Sequence, residues 1–277
     1  MRSLGQRLGG GREAALEARL LLAHALGCPT ARLLARPEAP VAPQARARAE
    51  ALAARRAAGV PLAYLLGRWG FWDLELRITP AVLVPRPETE RLVELALEKG
   101  DALARGRDGV EAGITVAEVG TGSGAVALAL ARERPRWRIL ATELCPEALA
   151  VARENRDALG LAARVRLLHG DACAPLAGER LDLLLANPPY VAEGDPHLAA
   201  LRHEPRRALV AGPTGLELLA RIARQARALL RPGGWLLLEH GAGQGEAAVA
   251  LLQGLGYAEV ADHPDLAGRP RVVAGRR

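Results

Sequence analysis

The sequence predicts an α/β fold in which a doubly wound, mostly parallel sheet of seven strands follows a small helical domain. From residue 114 onward, short apolar runs alternate with segments of helical periodicity. Right-handed crossovers of this length build a doubly wound sheet. Upstream, helical patterns are punctuated by proline and glycine, and residues 68–85 instead alternate apolar and polar positions. These changes predict a helical domain at 1–67, a hairpin connector at 68–85 and a sheet domain at 86–277.

The first 90 residues predict helices and one hairpin. Leu16, Leu20, Ala23 and Leu26 fall on helical spacing, and a glycine and a proline end this helix. Further helices are expected at 30–34, 44–58 and 62–66, a strand or hairpin at 71–78, and a helix from Thr89 or Glu90 through residue 97.

The remaining sequence predicts the sheet and its helices. Strands are expected at 114–119, 139–142, 165–168, 181–186, 235–238, 257–260 and 271–273, and helices at 124–134, 146–159, 216–230 and 245–255. The helix at 216–230 is expected to end at the Pro-Gly-Gly segment that follows it. The last two strands are joined by a loop, so they are expected to include an antiparallel edge strand.

Composition indicates a soluble protein with a substantial core. Half of the 277 residues are hydrophobic, yet no apolar stretch approaches the roughly 20 residues of a membrane span. Three cysteines without CxxC spacing predict free thiols in a reducing compartment, hence a cytoplasmic protein with no metal site. A net charge of +6 is compatible with a nucleic-acid partner, but the arginines are scattered, which favours an ordinary basic surface.

The most informative motif is Asn187-Pro188-Pro189-Tyr190, which directly follows the buried strand predicted at 181–186. Ligands of open α/β sheets bind just beyond the carboxyl ends of such strands. Two consecutive prolines remove two N–H donors, so the segment offers mainly acceptors. Such a loop suits a planar NH2 group, with Tyr190 supplying a flat face. The alternative is a simple strand-terminating turn.

A glycine-rich turn links the strand at 114–119 to the next helix. Its residues are Gly120, Thr121, Gly122, Ser123 and Gly124. Glycines let the backbone turn sharply and approach a ligand closely. The spacing is neither the GxGxxG of dinucleotide folds nor a P-loop. By itself the segment is equally compatible with a tight strand–helix turn.

Two acidic residues follow the next two strands and complete a candidate nucleotide site. Glu143 can accept hydrogen bonds from ribose hydroxyls, or act as a surface charge at a helix N-terminus. Asp171 is a candidate acceptor for an adenine amino group, and Ala172 follows it. Because these loops and Asn187 leave the same end of one sheet, their co-location carries more weight than any single motif.

In order and spacing, these motifs resemble class I S-adenosylmethionine-dependent methyltransferases, which have a Rossmann-like sheet. The Asn-Pro-Pro-Tyr segment is similar to that of enzymes that methylate a nitrogen conjugated to a planar system. Further segments resemble the bacterial peptide chain release factor glutamine N5-methyltransferases (the PrmC/HemK family). They are Pro61 to Gly67 with Phe71, Leu83 to Glu90, Asp195 to His197, Glu204-Pro205 with Ala208-Leu209, Gly215-Leu216, Leu238 to Gly241 and Asp265 to Arg271.

The resemblance implies a reaction and its participants. The enzyme would transfer a methyl group from S-adenosyl-L-methionine to the side-chain amide nitrogen of the glutamine in the Gly-Gly-Gln loop of class 1 release factors, leaving S-adenosyl-L-homocysteine and using no metal. Domain 1–67 would recognise the substrate. Asn187, Pro188 and Tyr190 would be catalytic, and Pro189 would join them in binding substrate. The cofactor would contact residues 120–124, Glu143, Asp171, Ala172 and Asn187. A monomer is expected.

Two alternatives remain open at this point. A nucleic-acid methyltransferase acting on adenine N6 or guanine N2 has a chemically similar target, and a flipped base suits the same loop. Against it, the sequence contains no recognisable target-recognition domain or DNA-binding motif. A non-catalytic S-adenosylmethionine-binding module is disfavoured because the acceptor loop and the cofactor loop are both intact.

Overall fold

The computed structural model describes residues 2–106 and 113–277, and the chain divides into two compact units. The first extends to Trp69 and also includes Ile78–Pro80. The second comprises Gly70–Arg77 and Ala81–Arg277, so it contains the whole of the predicted sheet. Residues 107–112, which fall inside the sheet domain expected at 86–277, lie outside the described residues.

The first unit is helical. Its core forms where small residues let helices approach closely, because Ala18, Ala49 and Ala53 are each at most 1% exposed. A two-pronged ion pair between Arg56 and Glu17, at 2.7 and 2.9 Å, ties the two longest helices together. The helices are α1 (Arg2–Arg7), α2 (Gly11–Leu26), α3 (Thr30–Ala35), α4 (Pro43–Ala57) and α5 (Leu62–Leu66). The sequence did not predict α1.

A short hairpin follows, formed by β1 (Arg68–Phe71) and β2 (Leu74–Arg77). Its turn places Trp72 at a positive φ of 56°, a conformation that costs energy for a residue with a side chain. Two hydrogen bonds hold Trp72: its backbone N–H donates to Glu90 at 2.9 Å, and its indole N–H donates to Glu133 at 2.8 Å.

The second unit contains a seven-stranded sheet in the order β5-β4-β3-β6-β7-β9-β8. The strands are β3 (Thr115–Val119), β4 (Arg138–Glu143), β5 (Val165–His169), β6 (Leu181–Ala186), β7 (Leu230–Glu239), β8 (Ala258–Pro264) and β9 (Pro270–Arg276). The prediction of a doubly wound, mostly parallel sheet is confirmed. The antiparallel strand is β9, which lies between β7 and β8 rather than at the edge, because it folds back on β8 and then pairs with β7.

Within the part of the chain that the structure describes, five helices flank this sheet: α6 (Glu90–Arg105), α7 (Ala125–Glu133), α8 (Pro146–Ala158), α9 (Glu217–Leu229) and α10 (Gly245–Gly254). All six residues of β6 are buried, as expected for a strand covered on both faces. Several predicted boundaries were wrong. Helix α6 continues to Arg105, and the last two strands extend to Pro264 and Arg276. Strand β7 begins at Leu230, so it includes the Pro-Gly-Gly segment expected to follow the preceding helix.

The strand order creates the crevice that the site needs. Val119 at the end of β3 pairs with Thr142 of β4 on one side and with Ala186 of β6 on the other. The chain therefore leaves β3 toward one half of the sheet, while β6 begins the other half. The loops after β3, β4 and β6 share one edge of the sheet at this reversal, where open α/β sheets bind their ligands.

Candidate active site

The glycine-rich turn after β3 is held by backbone hydrogen bonds. The N–H groups of Gly120 and Thr121 both donate to the Thr142 carbonyl at 2.9 Å. Gly120 and Gly122 have φ values of 75° and 56°, which side chains strongly disfavour. Among the described residues, no atom lies within 4 Å of a Cβ placed at either glycine. The requirement for glycine is therefore conformational, and the turn faces open space.

Glu143 connects the turn after β3 to the loop after β4. Its Oε2 accepts the Gly122 N–H and its Oε1 accepts the Cys145 N–H, both at 2.9 Å. A carboxylate offers about four lone-pair positions, so roughly two remain after these bonds. The side chain thus braces the turn and retains capacity for a ligand hydroxyl.

Glu118 also stabilises the glycine-rich turn, and its side chain is fully buried. Its Oε2 accepts the Thr121 hydroxyl at 2.5 Å and the Ala127 N–H at 3.0 Å. Burial disfavours the charged form and raises the pKa of this carboxyl to about 8, although both hydrogen bonds act in the opposite direction.

The loop after β5 positions Asp171 and Ala172. Both carboxylate oxygens of Asp171 accept hydrogen bonds from Arg221, at 2.6 and 2.9 Å. Ala172 is buried at a φ of 46°, and its carbonyl accepts the Thr142 hydroxyl at 2.9 Å. The predicted adenine acceptor therefore already has an ionic partner, and any ligand would share Asp171 with Arg221.

These loops surround a cavity of about 1110 Å³, including its open mouth. Of the predicted site residues, the lining contains Gly120, Thr121, Gly122, Ser123, Glu143, Asp171, Ala172, Asn187 and Pro189. Gly124, Pro188 and Tyr190 are not part of it. Residues that the sequence analysis did not select also line the cavity, among them Val82, Thr89, Leu144, Cys145, Leu218 and Arg221.

The loop after β6 is fixed from both ends. At its start, the Asn187 Nδ2 donates to the Thr89 hydroxyl oxygen at 3.1 Å. At its end, the Tyr190 carbonyl accepts the side-chain amide of Gln244 at 3.0 Å. Gly215 has a φ of 79°, and a Cβ there would lie 2.2 Å from that carbonyl oxygen. Burial raises the pKa of the Tyr190 phenol.

A buried acid from the segment Leu238 to Gly241, to which the sequence analysis assigned no role, lies beside this loop. Glu239 ends β7 and is 1% exposed, and burial raises its pKa to about 7 against the hydrogen bonding of Thr89 and the charge of Arg271. Its Oε2 has no hydrogen-bond partner within 2–106 and 113–277. The sequence did contain a signal for Glu239. It is a charged residue at the end of an apolar strand, a position like that of the polar residue Asn187.

Glu204 precedes Arg206 and Arg207, a charge pattern typical of a surface loop, yet Glu204 is only 7% exposed. It accepts the Val84 N–H at 3.2 Å and forms an ion pair with Arg86. Its role in the structure is to join the segment before α6 to the long connection after β6.

Neither a metal cluster nor a membrane helix is found in the described part of the chain. No group of three or more His, Cys, Asp or Glu side chains there could hold a metal ion. Likewise, none of the helices that the structure describes is long and apolar enough to cross a membrane.

Similarity to solved structures identifies the fold. The catalytic domain of hMettl16 in complex with MAT2A 3'UTR hairpin 1 matches with a TM-score of 0.58 and 19% identity, over 81% of this chain and 79% of that one. A methyltransferase from Pyrococcus furiosus matches with a TM-score of 0.53 and 20% identity, over 74% and 89%. Residues 110–212 match the model of the methyltransferase small domain. Fold and sequence together define an S-adenosylmethionine-dependent methyltransferase.

Relatives with higher sequence identity identify the family within the methyltransferases. Residues 2–67 match the model of the PrmC N-terminal domain. The release factor glutamine methyltransferase of Moorella thermoacetica is 48% identical, covering 97% of this chain and 93% of that protein. The one from Xylella fastidiosa strain 9a5c is 46% identical, covering 94% and 92%. This chain belongs to the release factor glutamine methyltransferase family.

Proposed function

We propose that this enzyme methylates the side-chain amide nitrogen of the glutamine in the Gly-Gly-Gln loop of class 1 peptide chain release factors. The observation that carries the proposal is the Asn187 amide at the mouth of the cavity. Its NH2 is engaged by Thr89, which leaves Oδ1 as an acceptor for a substrate N–H. The full-length similarity to release factor glutamine methyltransferases supports this choice of substrate.

The cavity suits S-adenosyl-L-methionine as the methyl donor. Gly120 and Gly122 keep the floor of the cavity free of side chains, and Glu143 retains lone pairs for ribose hydroxyls. Asp171 and Ala172 would hold the adenine end, and the remaining predicted contacts are Thr121, Ser123, Gly124 and Asn187. When bound, the cofactor supplies an electrophilic methyl group on a sulfonium, and the by-product is S-adenosyl-L-homocysteine. No metal is required.

The protein's own contribution is orientation and electrostatics. An amide nitrogen is a weak nucleophile, because its lone pair is delocalised into the carbonyl. Asn187 Oδ1 and the Pro188 carbonyl would accept its two N–H groups, while Pro189 and Tyr190 would pack against the amide plane. Positioning alone can contribute up to roughly 7–11 kcal/mol. As positive charge develops on the nitrogen, both acceptors bind it more strongly, which favours the transition state.

The remaining expectations belong to the same proposal. The helical residues 1–67 would recognise the release factor, and residues 68–85 would connect the two domains. Residues 86–277 would bind the cofactor and catalyse methyl transfer. The enzyme would act as a monomer in the cytoplasm. It would not bind a membrane, and nucleic acid would not be its substrate.

A methyl-transfer assay with a radioactive donor tests the proposal. The substrates are a class 1 release factor, the same factor with its loop glutamine changed to alanine, and separate DNA and RNA samples. We expect label only in the unmodified factor. Equal labelling of the alanine variant, or label confined to nucleic acid, would overturn the proposal in favour of a different target.

Replacing the acceptor tests the site itself. Asn187→Ala should lower methyl transfer by roughly 100-fold or more, as found when one transition-state hydrogen bond is removed. Cofactor binding, measured by calorimetry, should survive at least in part. Gln253→Ala removes an exposed amide and serves as the matched control. Full activity of Asn187→Ala would refute the acceptor role.

A further inference from the structure

Glu239 and Asn187 occupy equivalent places on neighbouring strands. Ala186 of β6 pairs in parallel register with Leu238 of β7. The residues that come next are Asn187, just after β6, and Glu239, the last residue of β7. They therefore lie side by side at the edge of the sheet where the cavity opens. Thr89, 5% exposed, precedes α6 and bonds to Asn187. Strand pairing thus places a buried carboxyl beside the amide that is proposed to hold the substrate.

The hydrogens in this group have a preferred arrangement when Glu239 is ionised. A hydroxyl has one proton to donate, and a carboxylate can only accept. The Asn187 NH2 and the Thr89 hydroxyl both favour the ionised form of Glu239 as donors, so Thr89 directs its single proton toward the carboxylate. Its oxygen is then left to accept, and it takes a proton from the Asn187 Nδ2 at 3.1 Å. The carboxylate thereby decides which end of the Asn187 amide faces Thr89.

We propose that Glu239 is a positioning residue that acts directly and through Thr89 to hold the Asn187 amide with its oxygen toward the substrate. The inference rests on the proposed function, because it explains why this site accepts N–H groups rather than donating them. Glu239 itself touches neither the reacting nitrogen nor the methyl group. It acts by keeping the acceptor in the required orientation.

The charges around Glu239 make this arrangement sensitive to pH. From β9, Arg271 favours the ionised form, while Glu88 in the turn before α6 opposes it. Tyr190 also lies within electrostatic range of Glu239 and Arg86. Burial is the largest influence, and it brings the pKa to about 7. A protonated Glu239 can donate to Thr89, which is then able to donate to the Asn187 oxygen and reverse the amide.

The chain offers a direct readout of the amide, because it contains only two asparagines, Asn155 and Asn187. Heavy-nitrogen labelling of asparagine side chains therefore gives two NH2 signals in NMR spectra. Asn155 is an internal control, since its Nδ2 donates to the carbonyls of Ser123 and Arg77 at 2.9 and 3.0 Å, away from Glu239. The measurement needs no substrate, so it tests the inference even if release factors prove not to be methylated.

We expect the Asn187 signals to titrate with a midpoint near 7 in the natural protein and to lose that transition in Glu239→Gln. The Asn155 signals should stay constant through the same range in both proteins. Asn187 signals that ignore pH, or that keep the same transition in Glu239→Gln, would overturn the proposal.

Kinetics supply the second readout. Glu239→Gln should lower kcat about tenfold or more, leave the KM for the cofactor nearly unchanged, and lose the fall in activity below neutral pH. Thr89→Val removes one of the two donors that face Glu239 without altering Glu239 itself, and should reproduce part of the loss of kcat. Thr89→Ser keeps the hydroxyl and should restore most of it. A Thr89→Val variant as active as Thr89→Ser, or an unchanged kcat in Glu239→Gln, refutes the positioning role.

Discussion

Replacing Glu143 by glutamine gives a quantitative test of the way the cavity is built. The natural carboxylate accepts one backbone N–H with each oxygen, from Gly122 and Cys145, at 2.9 Å in both cases. Glutamine has a single acceptor oxygen, so one of these N–H groups would instead face an NH2. Hydrogen bonds to charged groups contribute about 1.5–3 kcal/mol. Because Glu143 is partly exposed and water can replace the lost partner, we expect a loss near the lower end, about 2 kcal/mol.

Two measurements check this expectation. For a domain of this size, about 2 kcal/mol corresponds to a fall in Tm of roughly 4–8 °C by calorimetry. The affinity for S-adenosylmethionine should fall roughly 10-fold to 100-fold, because the ribose acceptor is weakened as well. Glu38→Gln makes the same charge change at an exposed site in the other unit and is the control. A Glu143→Gln variant with the Tm and Kd of the natural protein would show that the carboxylate neither braces the turn nor binds ribose.

Two further substitutions test the loop after β6 and Glu118, the buried acid that supports the glycine-rich turn. Gly215→Ala places a Cβ 2.2 Å from the Tyr190 carbonyl oxygen, so methyl transfer should fall by about 100-fold, whereas Gly178→Ala, at a similar positive φ but in open space, should not affect it. Equal activities of the two variants would contradict this. Burial raises the pKa of Glu118 to about 8, so its contribution to stability is lost as pH rises through that value. Glu118→Gln should therefore gain stability relative to the natural protein as pH rises, in denaturant titrations; parallel curves would refute this.

The order of strands and helices could be predicted because each apolar run is flanked by local turn residues. The errors arose where a local signal was outweighed by a distant contact. Helix α6 was expected to run only through residue 97, but it includes Gly100, where a Cβ would lie 2.2 Å from a ring carbon of Trp137. The glycine is therefore required for packing, and the helix continues to Arg105. Helix α9 ends at Leu229, close to the end expected before Pro232, but the next strand was expected only from Trp235. Strand β7 instead begins at Leu230, and the register alongside it is irregular between Leu181 and Leu183.

In the candidate site, too, some residues could be placed from local sequence signals, whereas the roles of others depend on distant contacts. Glu143 ends a strand and Asn187 directly follows one, so their placement at one edge could be predicted from the topology alone. Glu239 also ends a strand, but its importance depends on β6 and β7 being neighbours and on Thr89 lying close to it from the start of α6. Arg221 lines the cavity only because α9 brings it to Asp171. A single sequence does not specify these side-chain partnerships, because they depend on elements far apart in the chain.

The double attachment of Gly120 and Thr121 to one carbonyl has a kinetic consequence. Since the turn is anchored by backbone atoms of the next strand, its shape does not depend on a ligand to organise it. Ordering a flexible segment on binding costs roughly 1–2 kcal/mol per residue, and a turn that is already rigid avoids that cost. The cofactor should therefore enter at a rate governed by encounter with the open mouth, without waiting for the turn to rearrange.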